Sequence, residues 1–447
     1  MKNKLMLGIV CTVLTAGQAV FGQTSAAEPP ARMDRPNFLF IMADDLGKEW
    51  LSCYGSECHR TPHLDHLADQ GMRFESFYVT PLCTPTRNVL LTGRYPFRTG
   101  WTVHHDAPRW GGQYFDWQRE ITFARVLRSA GYATAIAGKW QVNDLRTQPE
   151  ALREHGFDEH CMWVGFEKDN PPSAERYWNP FIQENGRRGT REGAFGEDVF
   201  VDFLMDFMTR HKDRPFLAYY PMVLPHTPFT TTPANRDTDL KGIPLFPGMV
   251  DYVDILVGRL VEHLDNLGIR GRTVIIFTAD NGTVSGVKCG RRGQLVNGGK
   301  GTSRESGICT PLIASCPGRI PERRVSEELL DISDVFPTLA ELAGAQLPTG
   351  VTLDGRSFAA LLLGRDANHV GREWIFSQLG KVRVVRDRRF KVFSDGRCYD
   401  LIADPQEKND LATDARAEVA EARQRLSAVL SSFPPDAILP FEPRRQQ

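Results

Sequence analysis

Asn37-Phe38-Leu39-Phe40-Ile41-Met42-Ala43-Asp44-Asp45-Leu46-Gly47 is the stretch on which the fold turns. Its first seven residues carry no charge, and an acidic pair and a glycine follow. Such a run is short for a buried helix and reads as a strand covered on both faces. The pattern returns at Thr134-Ala135-Ile136-Ala137, at Phe216-Leu217-Ala218-Tyr219-Tyr220 and at Val274-Ile275-Ile276-Phe277-Thr278. Between these runs lie stretches of helical period from Pro62 to Gly71, Ile121 to Ala130, Asp198 to Arg210 and Val250 to Leu267. Buried strands alternating with helices predict an α/β fold: a large mixed, mostly parallel sheet flanked by helices, over residues 35–350. Past Leu353-Asp354-Gly355 the spacing tightens. Trp374-Ile375-Phe376, Val382-Arg383-Val384-Val385, Phe390-Lys391-Val392-Phe393 and Cys398-Tyr399-Asp400-Leu401 read as an antiparallel meander, and Ala415 to Ser431 as a closing amphipathic helix. Residues 351–447 are therefore expected to form a small C-terminal α+β domain with an antiparallel sheet.

The chain has 447 residues, 41% of them hydrophobic, which is ample for a large core. Lys and Arg number 54 against 55 Asp and Glu, so the net charge is -1. Nothing in that balance attracts nucleic acid or an anionic membrane, and an anionic substrate would need a local basic cluster. Residues 1–27 pair Lys2 and Lys4 with an apolar run and the small residues Ser25-Ala26-Ala27. This is the pattern of a signal peptide, and it predicts a periplasmic or secreted protein. No later stretch is apolar and long enough for stable membrane insertion. Cys53 and Cys58 are close enough in sequence to bridge, with Cys289, Cys309 and Cys316 as further candidates; the spacing leaves the pairing open. No Cys-x-x-Cys pair occurs, which argues against a thiolate zinc site.

Two strand ends carry acids. Asp44 and Asp45 follow the first strand, and Asp280 and Asn281 follow Val274–Thr278. Ligands of open parallel sheets bind beyond the carboxyl ends of the strands, so three carboxylates and an amide converge on one edge. Hard oxygen donors of that number suit calcium or magnesium. Cys83-Thr84-Pro85-Thr86-Arg87 opens a predicted helix, with Pro85 in its first turn. Cys83 then sits where the helix dipole favours negative charge, and Arg87 lies one turn on.

Cys83-Thr84-Pro85-Thr86-Arg87, followed by Leu91-Thr92-Gly93-Arg94, resembles the signature of the sulfatases. The likeness runs from about Arg35 to Leu411, including Tyr399-Asp400-Leu401 and Asp404-Pro405. It implies an alkaline-phosphatase-like sheet and a cysteine, Cys83, oxidised to formylglycine by a maturation enzyme. It also implies one calcium ion held by Asp44, Asp45, Asp280, Asn281 and the modified Cys83. Lys139, in Gly138-Lys139-Trp140, and Lys300, in Gly299-Lys300-Gly301, match lysines that grip the sulfate. His226, in Pro225-His226-Thr227-Pro228, matches a histidine at the substrate oxygen. The expected reaction is hydrolysis of a sulfate ester on a small molecule or, given the leader, a glycan. Calcium and the two lysines would neutralise the anion, and His226 would protonate the leaving oxygen.

One position departs from the family. Where the pattern commonly reads Gly-Lys-Trp-His, this chain has Gln141, which can hydrogen-bond a hydroxyl but cannot take its proton. His104, His105, Asp144 or a metal-bound carboxylate are the candidate replacements, and a protein that binds sulfated glycans without turnover is the alternative. A formylglycine-dependent phosphonate or diester hydrolase is the other. Gln141 and His105 join Lys139, His226 and Lys300 as expected substrate contacts. Trp101, Trp110, Tyr114 and Trp117 are candidate sugar-stacking rings, and Lys288, Arg291 and Arg292 a candidate basic rim.

Overall fold

The computed structural model describes residues 1, 35–110, 114–165, 176–438 and 440. The predicted leader lies outside these residues, apart from its first position. Eight strands of the main sheet come first: β1 Asn37–Ala43, β2 Gly71–Tyr78, β3 Ala133–Lys139, β4 Glu159–Trp163, β5 Phe181–Glu184, β6 Arg187–Thr190, β7 Phe216–Pro221 and β8 Thr273–Ala279. A hairpin, β9 Lys288–Arg291 and β10 Gln294–Asn297, precedes three more main-sheet strands, β11 Cys309–Ser315, β12 Arg324–Ser326 and β13 Leu330–Asp331. The spatial order is β12-β2-β11-β8-β1-β7-β3-β4-β5-β6, with β13 also paired to β2. From β8 to β4 every neighbouring pair is parallel. The fold is thus the mixed, mostly parallel sheet that the apolar runs predict.

Alternation along β1 builds two helical layers. Leu39, Ile41 and Ala43 join a core with residues of the helices Pro62–Asp69, Gly196–Arg210 and Phe246–Asn266. Phe38 and Phe40 point to the other face, against Tyr132 and Phe123. There the helices Cys83–Thr92, Phe123–Ser129 and Val335–Ala343 pack together. Completely buried aliphatic and aromatic side chains of this kind are worth about 1.5–3 kcal/mol each.

Direction decides which loops meet. β11 runs antiparallel to β8, and β2 antiparallel to β11, so β2 points the same way as the central strands. The carboxyl end of β2 therefore opens on the same edge as those of β1, β3, β7 and β8. The amino end of β11 opens there as well. Cys83 follows β2, and Lys300 precedes β11, so the two reversals bring both to that edge.

Short strands β14 Ile375–Leu379, β15 Val382–Arg386, β16 Phe390–Phe393 and β17 Cys398–Asp400 form an antiparallel meander in sequential order. The helix Ala417–Ser432 covers it, and Val419, Ala422 and Leu426 share a core with Phe376, Val385, Tyr95 and Phe97. One expectation needs correction, and the open cysteine pairing is resolved. The helix from Pro62 ends at Asp69, and Gly71 opens β2 instead. A Cβ on Gly71 would stand 2.2 Å from the carbonyl oxygen of Ala314, so close strand pairing requires glycine here. Cys58 bridges to Cys289 and ties the β9 strand to the segment before Pro62, while Cys53 is a free thiol.

Candidate active site

Register places the acids. Ala43 pairs with Ala279 at the ends of β1 and β8, and the Asp280 amide donates to the Ala43 carbonyl at 3.0 Å. Asp44, Asp45, Asp280 and Asn281 consequently emerge side by side, all buried. The Asp45 amide donates to Asp280 Oδ1 at 3.2 Å, and Asn281 Nδ2 to Asp45 Oδ1 at 2.7 Å. Asp45 adopts a left-handed φ of 72°, an uncommon conformation outside glycine that concentrates at functional sites.

Three cations answer the three carboxylates. Lys139, the last residue of β3, donates from Nζ to Asp44 Oδ2 at 2.6 Å. Lys300 donates from Nζ to Asp45 Oδ2 at 2.6 Å. Arg87, one turn into the Cys83–Thr92 helix, holds Asp280 Oδ2 through Nε at 3.1 Å and Nη2 at 2.7 Å, with Nη2 also 3.6 Å from Asp44. Burial alone would raise the Asp44 pKa. The charges of Lys139, His226, Arg87 and Lys300 outweigh it and hold that carboxyl well below the ordinary range. Asp280 is driven the other way, by burial and by the neighbouring Asp44 charge, against the pull of Arg87. Burial also opposes the Lys300 ammonium, yet Asp45, Cys83 and Asp44 keep its pKa above the ordinary value.

The same cluster fits a hard cation. Asp44 Oδ1 and Asn281 Oδ1 are buried without a hydrogen-bond partner. Orphaned buried acceptors are costly, and a divalent ion would satisfy both. Ligand atoms of Asp44, Asp45 and His226 lie within 4.8 Å of one another. All the orphaned and converging donors here except the imidazole are oxygens, as calcium or magnesium requires.

His226 arrives on the loop after β7. Its Nε2 is 3.7 Å from Asp45 Oδ2, and Arg176 Nη1 stands 3.1 Å from its Nδ1. Burial depresses its pKa to about 3. The loop is set by Glu197, whose Oε1 accepts from the amides of Val223 and Leu224, each at 2.7 Å. Neither Arg176 nor Glu197 is visible as a site residue in the sequence, because each acts through contacts between distant segments.

Cys83 is the first residue of its helix and is 1% exposed. His104 Nδ1 lies 3.4 Å from Cys83 Sγ and 3.0 Å from Thr84 Oγ1. Burial, then Lys139, lowers the His104 pKa to about 4, so the ring is neutral at neutral pH. Gln141 Oε1 accepts from Thr84 Oγ1 at 3.3 Å, and Gln141 has a left-handed φ of 73°. His105 turns its backbone to Thr84 and its ring edge to Trp101 and Trp110. Asp144 is engaged by Arg146 at 2.8 Å. Among the candidate sugar-binding rings, Trp101 is buried, Trp110 stands edge-on to His104 at 5.1 Å, and Tyr114 stacks on Trp117. In the candidate basic rim, Arg291 and Arg292 both spend their charge on Glu75, at 3.4 and 2.7 Å.

The family model described as Sulfatase matches residues 36–345. Human arylsulfatase A (Homo sapiens) is 34% identical over 417 residues, covering 83% of this chain and 77% of that protein. N-acetylgalactosamine-6-sulfatase of Sus scrofa is 34% identical over 379 residues, covering 79% of this chain and 70% of that protein. Among solved structures, Ps i-CgsB superposes with a TM-score of 0.76 at 25% identity, covering 88% of this chain and 92% of that one.

Proposed function

The chain belongs to the sulfatase family and is a sulfuric ester hydrolase, and from that premise we propose that it cleaves a sulfate ester of a sulfated carbohydrate with a formylglycine made from Cys83 and one calcium ion. The observation that carries the reading is the cluster itself: Cys83 at a buried helix start, beside three carboxylates, three cations and two orphaned oxygens, Asp44 Oδ1 and Asn281 Oδ1. Asp44, Asp45, Asp280 and Asn281 would hold the ion, with the side chain at position 83 completing the set. Bound there, calcium would neutralise sulfate oxygens, and the hydrated aldehyde would supply the nucleophilic hydroxyl.

The chain's own residues supply the rest. Lys139 and Lys300 each have an ammonium within reach of the cluster, and an arriving sulfate offers them oxygens in place of Asp44 and Asp45. Their charge counters the negative charge that grows in the transition state. Arg87 orients Asp280 and opposes the rise in its pKa that burial and the Asp44 charge cause. His226, which approaches from the β7 side with its pKa lowered by burial, is the proposed proton donor to the leaving oxygen, its protonated form favoured by the negative charge of a bound sulfate. The name of the porcine relative, a sulfatase of N-acetylgalactosamine, supports a sulfated sugar as substrate.

Cys83 is 1% exposed in the folded chain, which supports oxidation by a maturation enzyme before folding is complete. The Cys58–Cys289 bridge supports the predicted export to the periplasm or beyond, since such bonds persist in oxidising compartments. Gln141 favours a second reading, binding without turnover. One experiment separates them. Protein co-expressed with a maturation enzyme is digested, and the Cys83 peptide is weighed while free sulfate is measured from sulfated monosaccharides. A loss of about 18 Da, the change from thiol to aldehyde, together with calcium-dependent sulfate release supports hydrolysis. The matured mass with sugar binding but no sulfate release supports the second reading.

A further inference from the structure

An amide stands at position 141, so the last proton of the reaction needs another acceptor. Gln141 Oε1 can accept a hydrogen bond and its Nε2 can donate one, but neither holds a proton at neutral pH. Besides a metal-bound carboxylate, three side chains are open in the sequence as replacements, and the fold places those three differently. Asp144 is held by Arg146. His105 is latched by its backbone to Thr84, through its carbonyl at 3.0 Å and its amide at 3.3 Å, with the ring toward two tryptophans. That latch leaves the preceding residue, His104, over the helix start, with Nδ1 3.4 Å from Cys83 Sγ. Sγ marks where an oxygen on the same Cβ would lie after oxidation and hydration.

Gln141 has a different task in this arrangement. Its carbonyl accepts from the Ala107 amide at 3.1 Å, and its side chain meets Thr84 at 3.3 Å. It thereby fixes the far end of the segment whose near end Thr84 holds. Its left-handed backbone is the conformation in which both contacts are made. Trp110 packs against the His104 ring in a T-shaped contact, with centroids 5.1 Å apart.

We propose that His104 is the base that releases sulfate from residue 83, and that Gln141 and Thr84 are positioning residues for it. The inference rests on the formylglycine reading of Cys83. After transfer of the sulfuryl group, Cβ of residue 83 carries one hydroxyl and one sulfate ester. The hydroxyl proton passes to His104 Nδ1, the oxygen's electron pair forms the carbonyl, and the Cβ–O bond to sulfate breaks with its electrons leaving on sulfate. The products are the aldehyde, sulfate and an imidazolium, which returns its proton to water. No further reagent is required.

The test compares matured wild type with His104→Ala, His104→Gln, Gln141→His and the double variant His104→Ala/Gln141→His, using 4-nitrophenyl sulfate as probe. Three quantities are followed in rapid-quench samples: nitrophenol, free sulfate, and the mass of the residue-83 peptide. In His104→Ala the proposal expects one equivalent of nitrophenol at near wild-type rate, sulfate release slowed by about 100-fold or more, and a peptide heavier than the aldehyde form by about 98 Da, which is about 80 Da above its hydrate, for the retained sulfate. His104→Gln keeps a partner for Thr84 and should behave alike, which separates loss of the base from loss of the fold. The double variant should regain at least tenfold in sulfate release. Equal slowing of nitrophenol and sulfate in both single variants at His104, without the heavier peptide, would overturn the assignment, as would unchanged sulfate release. Absence of nitrophenol from matured wild type would instead sink the underlying reading of Cys83.

Discussion

Replacing Arg87 with methionine should destabilise the protein by about 3–5 kcal/mol in the presence of chelator, the usual cost of stripping one partner from a buried ion pair. Arg87 is 2% exposed and is shared by two carboxylates, Asp280 at 2.7 Å and Asp44 at 3.6 Å. At an effective dielectric near 20 the longer of those contacts alone corresponds to about 5 kcal/mol of attraction, before desolvation is subtracted. Methionine preserves much of the volume, so the loss is electrostatic rather than a cavity. Without the guanidinium, three buried acids face two lysines, and the cluster becomes a stronger cation trap. Calcium should therefore bind the variant more tightly and recover part of the lost stability, more than it adds to wild type. Urea unfolding of both proteins, with chelator and with saturating calcium, reads this directly. A loss below about 1 kcal/mol in chelator, or a loss of equal size with and without calcium, would refute the charge balance described here.

Further outcomes follow from particular contacts. Burial, against hydrogen bonds from Tyr220, Leu224 and Val223, raises the Glu197 pKa to about 7 from an ordinary 4.5. A carboxyl raised on folding adds stability below about pH 4.5 that is lost as pH climbs through 7, on the order of 3 kcal/mol. Glu197→Gln should flatten the decline in unfolding free energy across that window, and an unchanged slope would contradict it. Lys139→Met should lower kcat/KM for sulfate release by about 100- to 1000-fold while leaving the residue-83 aldehyde mass intact; a change of less than tenfold would remove Lys139 from the reaction. Cys58→Ser should cost about 2–5 kcal/mol in denaturant, because the Cys58–Cys289 bridge closes a loop with a sequence separation of 231. Leu426→Ala should cost about 2–5 kcal/mol by opening the core between the last helix and the meander. A midpoint equal to wild type in either variant would show that the contact adds nothing to the fold.

The buried cluster has a common design logic. Each acid leaves the end of a parallel strand, where backbone register alone sets its position to within a residue. Each cation arrives from a different element: Lys139 from β3, Arg87 from a helix and Lys300 from the loop before β11. The site is assembled only when the sheet is formed, which ties catalysis to the folded state.

Local sequence determined the strands, because seven-residue apolar runs have one stable environment, a sheet covered on both faces. β1 matches its predicted bounds from Asn37 to Ala43, and the four strands of the C-terminal meander fall where the tight apolar spacing puts them. The acids at strand ends, and Cys83 at a helix start, were legible for the same reason: their positions are set by neighbours in the chain. β2 was missed, since Met72-Arg73-Phe74-Glu75 carries two charges and Gly71 reads as a helix stop. Only the pairing of β2 with β11 makes it a strand. The choice between His104, His105 and Asp144 was also invisible, because all three are polar residues in irregular segments without a period. The tertiary structure places them differently through the Thr84 latch, which fixes the His105 backbone and leaves His104 facing Cys83, and the proposal of His104 as base rests on that placement. Periodicity fixes what a residue's own element buries; contacts across dozens of residues are set by how elements pack, and one sequence carries no period for those.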